Sequence, residues 1–312
     1  MNFPVFDLHC DSALALLGPK FHATGTLRKN EFHIDLERAG ILPGYAQCFA
    51  VFTSPEEKLP GRMTIEDLFE RELSVLLREI NANSDLIAQA YSAEDVANNR
   101  EKGLMSAIFT IEGPAGFGYD PALLSDMYDI GFRITNLGWN ESGPLTGSHK
   151  TGEGLTDLGR EYVKEAQRVG MLVDVSHISD QGFWDIMDIT EAPIIATHSN
   201  SRQVFDHSRN LTDDMFLAIC RTGGVAGINM CADFIGENAT LDSVCDHVIH
   251  FMELDPSGKH IALGGDLDGV SQLPDGFTGV ESYSALAQRL MQRGLTQQQV
   301  LDIYWNNAFG VI

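Results

Sequence analysis

Positive charge is scarce in this 312-residue chain: 21 lysines and arginines stand against 44 aspartates and glutamates, a formal charge of −23 at pH 7. So acidic a surface repels phosphate backbones and anionic headgroups, which excludes nucleic acid and membrane surfaces as expected partners. Long apolar runs are missing too; no stretch of about 20 residues could cross a bilayer. The five cysteines (Cys10, Cys48, Cys220, Cys231 and Cys245) are scattered, and no Cys-x-x-Cys pair exists to build a zinc ribbon. The opening Met-Asn-Phe-Pro-Val-Phe-Asp lacks the basic and apolar segments of a secretory leader, so the expectation is a reduced, cytoplasmic protein. Composition breaks, linkers, internal repeats and low-complexity segments are also absent, which favours one domain over residues 1–312.

What the chain does have is a series of short apolar runs that end on polar, chemically capable residues. The central pair lies in residues 171–198: Val173-Asp174-Val175-Ser176-His177 and Ile194-Ile195-Ala196-Thr197-His198, joined by a helical connector. Runs of this kind read as buried parallel strands. A side chain at the C-terminal end of such a strand faces the mouth of the sheet, so two histidines on consecutive strand ends can converge. Alone, each would more often be a hydrogen-bonded core or loop residue than a metal ligand.

The remaining strands repeat the pattern. Residues 4–10 end on His9, with Asp11 two positions on, a spacing that puts both on one side of a strand. Residues 104–112 end on Glu112, a costly place for a carboxylate unless a cation or arginine pairs with it. Strands are also expected at 45–52, 131–137 and 223–229, and residues 260–266 end on Asp266. His33 and Asp35 read as structural residues under the sheet, and His247 and His250 as packing or surface residues on a helix over 240–253. Helices are expected at 64–83, 93–100, 155–169, 282–293 and 296–308. Eight strands separated by helices make a (β/α)8 TIM barrel, with its active groups at the C-terminal strand ends.

Three histidines, two aspartates and a glutamate suit zinc or a similar borderline cation. Six donors exceed one ion's needs and suit two divalent ions sharing Glu112: His9, Asp11 and Glu112 on one, Glu112, His177 and His198 on the other. A water between two such ions would have its pKa lowered from about 15.7 towards about 7, giving a hydroxide nucleophile. Asp266 would then carry the proton to the leaving group as acid and base.

At this level of detail the chain resembles the membrane (renal) dipeptidase family of the amidohydrolase-like superfamily. The resemblance rests on Asp7-Leu8-His9-Cys10-Asp11, Ile111-Glu112-Gly113, Asp174-Val175-Ser176-His177, His198-Ser199, Ser208-Arg209-Asn210-Leu211-Thr212-Asp213-Asp214 and Gly264-Gly265-Asp266-Leu267-Asp268-Gly269. It implies a dinuclear zinc dipeptidase acting on free dipeptides, those with a C-terminal D-residue included, and a homodimer as a common assembly. It places the metal ligands at His9, Asp11, Glu112, His177 and His198, the catalytic carboxylate at Asp266, and the residue that binds the substrate's C-terminal carboxylate at Arg209. An arginine fork suits that last role, although a loop ion pair to Asp213 would serve Arg209 equally. One position departs: mammalian members have a histidine where this chain has Trp139, so that either the indole N–H, His149 of the same loop, or a metal alone must polarise the substrate carbonyl. A sister activity on N-acyl amino acids or related small amides uses the same centre and is the alternative. A phosphoesterase would be expected to open on His-x-His instead.

Overall fold

The computed structural model describes residues 2–18 and 25–312. Among them, nine parallel strands form one sheet: β1 Val5–Cys10, β2 Tyr45–Phe52, β3 Ile87–Gln89, β4 Met105–Glu112, β5 Phe132–Thr135, β6 Leu172–Asp174, β7 Ile194–Ile195, β8 Ala226–Ile228 and β9 Ile261–Leu263. Eight run in the order β7-β6-β5-β4-β2-β1-β9-β8, and a parallel bridge from Ala196 to Ala226 joins the two ends into a barrel. The expected (β/α)8 barrel is the fold. β3 is the addition that periodicity did not reveal. Its three residues pair with Met105–Ala107, the lower half of β4, while β5 takes the upper half of the same edge.

The closing seam depends on two glycines. A Cβ at Gly227 or Gly264 would run into the carbonyl of Thr197. Only glycine lets β8 and β9 come that close to the chain leaving β7.

Strand parity sorts the side chains into two layers. Phe6, Leu8, Ala46, Cys48, Ile108, Ile134, Ile195, Val225 and Ala262, drawn from six of the barrel strands and the lead-in to β8, form one interior cluster, closed below by Trp305 and Ala308. Their neighbours in sequence, among them Val5, Phe49, Phe109, Ile194 and Ile261, pack outward under the helices. Counting in twos up from the interior positions gives the residues that reach the mouth: Ile108 leads to Glu112, Leu172 to Asp174, Val225 to Asn229 and Ala262 to Asp266. The same sequence alternation that builds the core therefore aims the polar groups.

The outer helices follow from amphipathic spacing and capping. Ile65–Ala82 is started by a capping box between Thr64 and Asp67, Asp157–Val169 by Thr156, and Asp213–Thr222 by Thr212. The C-terminal helical segment is less regular than expected, with Gln297–Leu301 passing through a π-helical turn, Asp302–Asn306, into Asn307–Val311.

Candidate metal centre

The predicted ligands His9, Asp11, Glu112, His177 and His198 meet, buried, at the C-terminal mouth of the barrel, with Asp266 half-buried beside them. His9 Nε2 lies 3.5 Å from Asp11 Oδ2, 3.3 Å from Glu112 Oε2 and 3.8 Å from Asp266 Oδ1. On the other side of Glu112, its Oε1 is 3.0 Å from His177 Nε2 and 3.9 Å from His198 Nε2. Glu112 thus presents one oxygen to each half of the cluster. The His9 and His198 rings stack with centres 3.9 Å apart.

His9 arrives there by an irregularity rather than by simple alternation. Leu8 packs in the barrel interior, so in an unbroken strand His9 would face the helices. The β1–β2 register shifts between Asp7 and Cys10, and such a bulge re-aims the side chain. Asp11 follows just past the strand, where Gly269 leaves it room; a Cβ there would meet the Asp11 carboxylate. His177, Asp266 and Asp268 all adopt positive φ, +74°, +56° and +70°. A left-handed non-glycine residue costs about 1–3 kcal/mol, a strain that neighbouring structure must impose. It is concentrated where the side chains converge.

Two buried aspartates that the sequence reading passed over hold the frame. Asp7 accepts from the backbone N–H of His9 at 3.0 Å and of Gly265 at 2.9 Å, and from the Tyr283 hydroxyl. Asp174 accepts from the N–H of Ser176 and of Thr197, each at 2.9 Å, and from the Thr197 hydroxyl at 2.6 Å. Their signal was available: each is a carboxylate inside an apolar run. Asn140 and Asn229 join them. Asn140 Oδ1 is 3.0 Å from His177 Nδ1, and Asn229 Nδ2 donates to Asp266 Oδ2 at 2.9 Å.

These contacts decide the tautomers. The Thr197 hydroxyl gives its proton to Asp174, so it can only accept from His198 Nδ1–H, 2.7 Å away. Asn140 Oδ1 is an acceptor, so His177 Nδ1 must be the protonated nitrogen. Both Nε2 atoms are left with bare lone pairs, yet they face each other at 2.9 Å. His9 Nε2 is buried without a hydrogen-bond partner. Burial pushes the Asp11 and Asp266 carboxyls up to about 6, reinforced by neighbouring carboxylates. Burial lowers the His9 imidazole, but Glu112 and Asp11 outweigh it and hold the ring well above its usual range. Burial and the positive charge of Arg209 hold His177 and His198 well below theirs. Facing lone pairs beside crowded carboxylates fit a bound divalent cation, which can accept from these nitrogen and oxygen donors together.

The mouth opens into a cavity of about 390 Å³, lined by Phe52, Glu57, Trp139, Cys231, Phe234 and Val270 among others. Trp139 stands in its wall, with its ring edge-on to Phe52 at 5.1 Å. His149 does not replace it. Its two ring nitrogens bind Ser208 Oγ at 2.8 Å and Asn140 Oδ1 at 2.9 Å. Arg209 lies behind His177 and Phe234 and is 4% exposed. It donates to the His198 carbonyl at 3.4 Å, its Nε has no partner, and no ion pair forms to Asp213. Asp213 pairs instead with His250 at 2.8 Å.

His33 is a correction. It does not sit under the barrel but at the mouth, where its N–H donates to Asp268 Oδ1 at 2.6 Å and its Nδ1 accepts from the Asp268 N–H at 2.9 Å. Asp35 caps the short helix Leu36–Ala39 and binds Arg38, a structural role as expected. His247 is a packing residue, held between the Ser201 N–H and the Ile235 carbonyl.

No helix among the described residues is long and apolar enough to cross a membrane. Residues 1–312 match the family model of membrane dipeptidases, peptidase family M19. An uncharacterized dipeptidase of Schizosaccharomyces pombe is 35% identical over 214 residues, 66% of this chain and 52% of that protein, so the match spans about half of that relative's length. An uncharacterized protein from the pqqA 5′ region of Klebsiella pneumoniae is 31% identical over 263 residues, 79% of this chain and 95% of that protein. A metallopeptidase of Rhodobacter sphaeroides, solved with a phosphinate mimic of L-Ala-D-Ala, superposes with a TM-score of 0.89 at 26% identity, covering 100% of this chain and 99% of that one. From its barrel, its converging mouth and these likenesses, the chain belongs to the membrane dipeptidase family.

Proposed function

We propose that this protein is a dinuclear metal-dependent dipeptidase that hydrolyses free dipeptides, including those with a C-terminal D-residue. The observation that carries the reading is the facing pair of unprotonated Nε2 atoms on His177 and His198, shared with His9 and Asp11 through the two oxygens of Glu112. His9, Asp11 and Glu112 would hold one ion, and Glu112, His177 and His198 the other. Two zinc ions there would supply Lewis acidity and a water acidic enough to ionise near neutral pH.

The chain's own groups do the rest. Asp266, with its carboxyl at about 6, can take a proton and return it near neutral pH, and Asn229 holds the Oδ2 side of that carboxyl in place. Arg209 is a buried cation with an unused Nε–H, the group a substrate carboxylate would satisfy. Trp139, Phe52 and Phe234 wall a cavity at the small end of the range for ligand sites, which suits two residues rather than a long peptide. The mimic bound to the Rhodobacter sphaeroides neighbour supports the L,D-dipeptide class for this chain.

The test is hydrolysis of L,L- and L,D-dipeptides alongside tripeptides and N-acetyl amino acids, with metal assayed on the same protein. The reading expects dipeptide cleavage at about two metals per chain, abolished by a chelator. Turnover of the N-acetyl compounds without the dipeptides would replace it with an amidohydrolase of acylated amino acids.

A further inference from the structure

A second cluster of metal-binding side chains lies at the opposite end of the barrel. Cys220 is in the last turn of the helix Asp213–Thr222, Asp255 ends the helix Leu241–Leu254, and His260 directly precedes β9. Their ligand atoms all lie within 4.8 Å of one another, and all three residues are half-buried, within reach of solvent.

Two features make this more than a chance meeting of polar groups. His260 Nδ1 donates to the Gly224 carbonyl at 2.7 Å, which leaves Nε2 as the nitrogen with a free lone pair. A ligating histidine is normally oriented in this way, through its other nitrogen to a carbonyl. The Asp255 carboxylate is likewise steered, accepting from the Ser257 N–H at 3.1 Å and the Ser257 hydroxyl at 2.9 Å. The Gly223-Gly224 turn makes the approach possible. Gly223 has φ +80°, and a Cβ at Gly224 would meet the Ile194 carbonyl, so the chain can run tight beneath β7 and bring Cys220 to His260. The Cys220 thiol forms no disulfide.

We infer that Cys220, Asp255 and His260 form a separate site for a thiophilic divalent cation of the zinc class at the N-terminal end of the barrel. Thiolate, carboxylate and neutral imidazole balance a dication and leave a fourth position for water. Ligand atoms on a tetrahedral ion stand roughly 3.5 Å apart, so small side-chain rotations close the site. Bound there, the ion ties two helix ends to the start of β9. Binding ejects the thiol proton to solvent as the sulfur–metal bond forms.

Cobalt(II) distinguishes this site from the mouth, whose donors are nitrogen and oxygen. Titrated into the chelator-stripped full chain, cobalt should produce a sulfur-to-metal charge-transfer band in the near ultraviolet. The band should vanish in Cys220→Ser and His260→Gln and persist in Cys231→Ser, which removes the thiol lining the mouth cavity. Absence of the band from wild-type protein, or its survival in Cys220→Ser, overturns the inference. If the variants fold poorly, alkylation of wild-type Cys220 followed by peptide mass spectrometry decides. Zinc at three equivalents, enough to fill the two proposed mouth positions as well, should slow it about tenfold or more relative to chelator-stripped protein, and an unchanged rate overturns the site.

Discussion

His177 and His198 point their Nε2 atoms at each other across 2.9 Å, and the partners of their Nδ1 atoms leave neither with a proton to share. Two lone pairs at that distance repel unless a cation lies within reach of both. His198→Ala should therefore reduce bound metal from two ions to one and lower kcat/KM by about 100-fold or more, since even loss of an outer partner costs 10–100-fold. Metal analysis on the purified variant, set beside its kinetics, checks this; full metal content with full activity would refute it.

Thr197 fixes the His198 tautomer through its hydroxyl, without touching the cavity. Thr197→Val keeps the shape and removes the acceptor. Zinc affinity is expected to fall about 10–100-fold while the fold is retained. Competition with a fluorescent chelator measures the affinity, and unaltered binding would remove Thr197 from the centre.

Asp266→Asn separates proton transfer from metal binding. We expect kcat to fall about 10²–10⁴-fold with metal content maintained. The Asp266 carboxyl titrates at about 6 in the folded chain, above its ordinary 3.8, so its charge opposes folding of the metal-free protein above that range. The metal-free variant should then melt higher than the metal-free wild type at pH 7.5. A lower melting temperature would mean that the carboxylate stabilises the fold.

Trp139 sets the width of the cavity through its contact with Phe52. Trp139→Ala should raise KM for small dipeptides such as Ala-Ala about tenfold and favour bulky ones, with kcat little changed. Trp139→Phe keeps the wall and loses the indole N–H. Unchanged turnover in that variant assigns Trp139 to the wall, and a large fall in kcat assigns it to the substrate carbonyl.

Acid should weaken the fold through its buried neutral imidazoles. Burial lowers the titration of His247, whose Nδ1 accepts the Ser201 N–H and has no room for a second proton. A lowered histidine leaves stability intact above about pH 6.5, and the unfolded chain gains protons over the folded one as pH falls below it. His247→Gln should be less stable at pH 7.5, yet lose stability with acid less steeply, by up to about 1.4 kcal/mol per pH unit. Urea unfolding of the metal-free proteins at pH 7.5, 6.5 and 5.5 measures the two slopes; equal slopes would show that His247 does not titrate on unfolding.

Much of this protein was legible in its residues. Strand ends at Glu112 and Asp266 followed from alternation: a polar group an even number of positions beyond an interior side chain faces the same way, whatever the rest of the chain does. His177 and His198 stand an odd number of positions beyond Leu172 and Ile195, past the ends of their strands, so the connecting backbone turns them to the mouth. Donor types and their place at the mouth were local properties too. The missed strand β3 is only Ile-Ala-Gln, too short for any period to register, and it exists because β4 is longer than its neighbour β5 and leaves an edge to pair. His33 was misplaced because its partner, Asp268, is 235 residues away. Tertiary structure alone decided the bulge that turns His9 inward, the glycine contacts that close the barrel and the hydrogen bonds that choose each tautomer. Each depends on strands from distant parts of the chain meeting at van der Waals distance. A one-dimensional pattern fixes which way a side chain faces on its own strand, and only the closed barrel determines what it meets there.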